Sequence, residues 1–158
     1  MKRILSLTLC LFMLLCLSAC GEPPTVENNF IVSFTVSQGD TDYAGTLTRE
    51  DGVLNIQINE PYAVKGMAYR FEDGELSIDY GTHSAKASCD YLPANSIPTA
   101  LFESLTYLPQ ATYSESNDGE DFFNLPTPYG NATLAARDGI PTSLSGLRSK
   151  LEFSFKAI

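Results

Sequence analysis

From Asn29 onward the chain alternates apolar and polar residues with a period of two. Phe30, Val32, Phe34 and Val36 interleave with Ile31, Ser33, Thr35 and Ser37, the pattern a half-buried β-strand requires. After a turn at Gln38-Gly39-Asp40, Tyr43, Gly45, Leu47 and Arg49 mark a second strand, and Asp51-Gly52 is a two-residue hairpin signal leading to Leu54, Ile56 and Ile58. Pro61 ends that strand. Met67, Tyr69 and Phe71 then run into Asp73-Gly74, and Leu76, Ile78 and Tyr80 run out of it. The segment Glu50 to Ile56 is echoed by Glu72 to Ile78, a spacing that fits consecutive up-and-down strands joined by tight turns. A sixth strand is expected from Ser84 to Leu92, closed by Pro93.

The period then changes. Asn95 or Ser96 can cap a helix, Pro98 suits its first turn, and Ile97, Leu101, Leu105 and Leu108 fall on one face before Pro109 stops it, with Phe102 widening the apolar stripe. Gln110 to Leu125 alternates only weakly around an acidic loop, Glu115 to Asp121, and Phe122-Phe123 resumes the apolar signal. Ala132, Leu134 and Ala136 precede a third Asp-Gly turn at Asp138-Gly139, and Leu151, Phe153 and Phe155 make a last strand. The expected fold is mainly β, about eight or nine strands in a curved antiparallel meander sheet covered by one central helix, whose stripe must be buried against one sheet face. Phe30, Phe34, Tyr43, Tyr69, Phe71, Tyr80, Phe153 and Phe155 are expected to share that face, either as a close-packed core or as the wall of an open pocket. For an open pocket the ligand-facing set is Ile97, Leu101, Phe102 and Leu105 on the helix with Phe34, Tyr69, Phe71 and Tyr80 on the strands.

A different pattern precedes the strands. Met1-Lys2-Arg3 is a basic start, and Ile4 to Leu17 is an apolar run of about 14 residues broken only by Ser6 and Thr8 and by no charge, short for a permanent span of roughly 30 Å of hydrocarbon. Leu17-Ser18-Ala19-Cys20 resembles the lipobox of bacterial lipoproteins, in which the cysteine receives a diacylglycerol thioether, is freed by cleavage before it and is then often acylated. That resemblance implies a signal peptide over residues 1–19, a lipid attachment at Cys20, and residence on the extracytoplasmic face of a bacterial membrane. Residues 20–28, ending in Gly21 to Asn28, carry two prolines and two glutamates and read as a flexible tether, with a single domain over residues 29–158. Cleavage after the first 19 of 158 residues leaves 139, one domain's length, able to bury roughly two-thirds of its unfolded surface. With Cys10 and Cys16 removed and Cys20 lipidated, only Cys89 remains as a thiol, so the fold has to stand without a disulfide. Cys89 itself reads as a small buried hydrophobe.

Charge narrows the partners. The formal charge of −9 becomes −11 once Lys2 and Arg3 are removed, the wrong sign for binding phosphate backbones, so no nucleic-acid partner is expected. The lone His83 lies in an expected turn, and no nucleophile-and-base order, phosphate-binding loop or metal-ligand spacing occurs. The Glu115 to Asp121 loop lacks the alternating order of a calcium loop and reads as a solvated turn, and Asn131-Ala132-Thr133 reads as a chance match to a glycosylation acceptor. No enzymatic activity, metal or cofactor is expected.

The repeated Asp-Gly hairpins, the Pro61 to Phe71 stretch (PYAVKGMAYRF) and Asp138-Gly139-Ile140-Pro141, combined with the lipobox, resemble the lipoprotein-carrier half-barrels of the LolA, LolB and LppX-like group. The resemblance covers residues 29–158 and implies an unclosed half-barrel that holds an acyl chain or another apolar ligand in its hollow. The rival expectation is a non-enzymatic interaction module that contacts a protein partner in a cell-envelope complex through its acidic exterior. The two differ in whether the hollow is open or filled.

Overall fold

Eleven antiparallel strands form one sheet in the computed structural model, which describes residues 23–89, 93 and 95–158. They are β1 (Phe30–Gln38), β2 (Thr41–Glu50), β3 (Val53–Glu60), β4 (Ala68–Glu72), β5 (Glu75–Tyr80), β6 (His83–Ser88), β7 (Thr112–Asn117), β8 (Glu120–Thr127), β9 (Gly130–Arg137), β10 (Ile140–Ser145) and β11 (Phe153–Ala157). One α-helix, α1 (Ile97–Leu105), divides the first six strands from the last five. The order across the sheet is β6-β5-β4-β3-β2-β1-β11-β10-β9-β8-β7, so two meanders meet where the first strand pairs with the last, and β6 and β7 are its open edges. The expected class holds: mainly β, antiparallel, unclosed, with one helix.

The strand number does not hold, because the polar stretch around residues 115–121 is not a loop. Asp118 and Gly119 turn β7 directly into β8, with Ser116 paired to Asp121 and Asn117 to Glu120. Every residue of β7 is exposed, so an edge strand with no buried face leaves no alternation to read. In the sixth strand the ladder stops at Ser88, Cys89 already lies outside it, and residues 90–92 of that expected stretch lie outside the described residues. His83 opens β6, opposite Tyr80, and is not in the turn.

Four hairpins share one chemistry. Asp51, Asp73, Asp118 and Asp138 all take left-handed φ values of 49° to 52°, each followed by a glycine with φ between 78° and 87°. This is the type I′ geometry whose twist matches the strands it joins, and Asp-Gly supplies it with little strain. Strand direction and register put all four turns at one end of the sheet. The N-terminal segment is docked there too: Glu27 N donates to Gly139 O at 2.9 Å, Asp51 N donates to Asn29 Oδ1 at 3.0 Å, and Val26 packs against the core. Residues 26–28 of the expected tether are therefore held by the sheet.

The inward-facing residues make one continuous core, with Val32, Leu47, Ile56, Leu76, Leu125, Leu134 and Leu144 wholly buried. The helix adds Ile97, Ala100, Leu101 and Leu105 to it. Ser96 Oγ accepts from Thr99 N at 3.3 Å, closing the helix start as its sequence forecasts. The helix ends at Leu105, one turn before Leu108. Ser104 and Thr106 turn their hydroxyls back onto the carbonyls of Ala100 and Phe102, and Leu108 sits beyond the helix in a separate 3-10 turn, Leu108–Gln110, with Pro109 in its first turn. Replacing Ser96 by alanine removes the cap and is expected to cost about 1 kcal/mol, read as a lowered urea midpoint.

Candidate functional site

The C-terminal half of α1 does not reach the Asp-Gly end of the sheet, and a cleft of about 350 Å³ opens between them. Its apolar lining is Leu54 on β3, Phe71 on β4, and Phe102 and Leu105 on the helix. The rings of Phe71 and Phe102 stack with centroids 4.4 Å apart and planes 11° from parallel, fixing that wall of the cleft. Gly52, Asp73 and Gly74, from two of the four turns, form the rim beside Glu72 and Thr106.

One charge lies inside. Arg49 occupies an inward position of β2, two residues beyond Leu47, and is only 7% exposed. Its Nη1 donates to the Asn28 carbonyl and, at 3.4 Å, to Asn28 Oδ1. Burial pulls its pKa down from the ordinary guanidinium value. No carboxylate among the described residues lies within ion-pair distance of it; Glu72 instead pairs with Arg70 at 3.0 Å. The sequence carried a signal for this residue, since Tyr43, Gly45, Leu47 and Arg49 share one face and the last breaks an otherwise apolar series.

The residues expected to face a ligand divide. Phe71, Phe102 and Leu105 line the cleft. Ile97, Leu101 and Phe34 are 4%, 0% and 1% exposed and lie in close-packed interior. Tyr69 is half-buried against the core, its hydroxyl 2.7 Å from Met67 Sδ, and burial raises its pKa, with Tyr43 adding to the effect. Tyr80 lies at the opposite end of the sheet, 42% exposed, donating to Ala63 O at 3.3 Å. Cys20, the expected lipid site, lies outside the described residues.

No protein-family model matches the chain, and no curated protein does. A solved structure does. A LolA superfamily protein from Nitrosomonas europaea superposes over 84% of this chain and 85% of its own, with a TM-score of 0.46 and 13% sequence identity.

Other hollows differ in chemistry. A groove of about 370 Å³ near the β1–β2 turn is lined by Asp42, Glu60 and Glu152 with Ser37 and Ser154 beside Val36, Tyr43 and Ala44, a more acidic and more polar setting than the cleft. Beside the helix, burial pushes the Glu103 carboxyl up while Arg148 opposes the shift, and Arg148 itself lies 4.3 Å over the Tyr129 ring. Among the described residues no group of three or more His, Cys, Asp or Glu is placed to hold a metal ion, and no helix is long and apolar enough to cross a membrane.

Proposed function

We propose that this is an extracytoplasmic lipoprotein, anchored through Cys20, that binds an acyl chain or another elongated apolar ligand and catalyses no reaction. The observation that carries the reading is the cleft of about 350 Å³ walled by Leu54, Phe71, Phe102 and Leu105, a volume at the lower end of ligand-binding pockets. The ligand enters at the Asp-Gly end of the sheet, beside the docked N-terminal segment. It does not run under the whole helix, where Leu101 is wholly buried. A protein carried on a lipid anchor stays within reach of membrane lipids, so even a cleft of modest affinity meets a concentrated supply. Affinity comes from apolar area removed from water, at about 25 cal/mol per Å².

The packed interior beneath Leu101 favours a second reading, the interaction module, in which acids on the β7–β8 hairpin such as Asp118, Glu120 and Asp121 touch a protein partner. One comparison separates the two. Protein extracted from membranes should carry an acylated Cys20 by intact mass and take up a fluorescent fatty acid saturably, with Phe102→Asp reducing uptake at least about tenfold. Absence of saturable uptake, with a crosslinked partner lost when the three acids are neutralised, would replace the binder with the module.

A further inference from the structure

The cleft is not simply greasy. We infer that it is built for a single-chain amphiphile with a carboxylate head, the head seated on Arg49 and the chain running along Phe71, Phe102 and Leu105. The inference rests on the proposed acyl-chain reading and adds a head-group chemistry to it.

A guanidinium offers five N–H donors on three nitrogens. Asn28 engages Nη1 alone, leaving Nε and Nη2 without an acceptor among the described residues. A cation more than nine-tenths buried ordinarily has a carboxylate beside it, because removing a charge from water is costly unless it is paired. Here the counter-charge is missing at the point where Arg49 lines a cleft that is otherwise apolar on its inner wall. Two free donors in a planar fork match the two oxygens of a carboxylate. The rim narrows the choice further. Asp73 holds negative charge at the mouth, which disfavours a dianionic phosphate more than a singly charged carboxylate. Arg49 also pins Asn28, so loss of its side chain could loosen the N-terminal segment, and a useful readout must compare head groups on one protein.

The test uses the full-length protein in isolated membranes, at a pH where the acid is ionised. Two photoactivatable probes share a 16-carbon chain with a terminal diazirine; one ends in a carboxylate and the other in an alcohol. The acid is expected to label the peptides holding Phe71 and Phe102 at least about tenfold more efficiently than the alcohol, and unlabelled palmitate to compete better than hexadecyl phosphate. Arg49→Gln should bring acid labelling down to the alcohol level without lowering alcohol labelling, and Arg49→Lys should keep part of the preference. Equal labelling by the two probes in the unaltered protein overturns the role of Arg49 while leaving the acyl-binding reading intact, and this arm holds even where Arg49→Gln fails to fold. Better competition by the phosphate overturns the carboxylate assignment. Labelling of neither cleft peptide by either probe overturns both readings together.

Discussion

Gly45→Ala is expected to destabilise the domain by about 3 kcal/mol or more, the upper part of the range for overpacked cores, and to lower its melting temperature by roughly 10 °C. Gly45 faces inward on β2, directly opposite Phe34 on β1. A Cβ added there would overlap the Gln57 carbonyl oxygen and sit 2.6 Å from two carbons of the Phe34 ring. The β2–β3 register shifts between Ala44 and Gly45, which brings the β3 backbone over this position. The Phe34 ring can be trimmed; the carbonyl cannot move without breaking the ladder. Gly45→Ala combined with Phe34→Leu should therefore recover little stability. A thermal unfolding curve displaced by less than about 3 °C in the single variant would show that the two strands can part at no great cost.

Leu101→Ala is expected to cost about 4 kcal/mol, because the side chain is 0% exposed and closely packed neighbours cannot collapse into the space it leaves. Leu105 is almost as buried, at 1% exposure, but it lines the cleft. Its truncation enlarges a space that water already reaches, so Leu105→Ala should fall near the lower end of the 2–5 kcal/mol range for such replacements. Urea titrations of both variants give the ordering. Equal losses would mean that the cleft and the interior beneath the helix are not separate spaces.

The parts of this structure that rest on local chemistry were readable from the chain. Three Asp-Gly turns stand out because left-handed backbone demands those residues, and α1 is announced by Ser96, Pro98 and the spacing of Ile97, Leu101 and Leu105. The fourth Asp-Gly turn, Asp118-Gly119, was hidden by the polar strand before it. An edge strand with no buried residue has no pattern to inherit. The pairing of β1 with β11 joins Phe34 to Phe155, a contact no local signal encodes. The site was half legible. Phe71, Phe102 and Leu105 carry the period of their elements, but whether neighbouring side chains meet or leave a gap depends on where α1 stops, and hydroxyl bonds to backbone decide that.

That β1–β11 seam has a consequence for the order of events in time. β1 is the first strand of the sheet in chain order, yet one of its two neighbours, β11, lies more than a hundred residues further along the chain. Until β11 pairs with it, the meander that begins with β1 exposes a long bare edge holding Val32, Phe34 and Val36, and the other half has no edge to join. Closing a loop of more than a hundred residues in one step makes for slow folding and a lasting open intermediate. For as long as that edge is bare, its unpaired N–H and C=O groups are open to pairing with another strand.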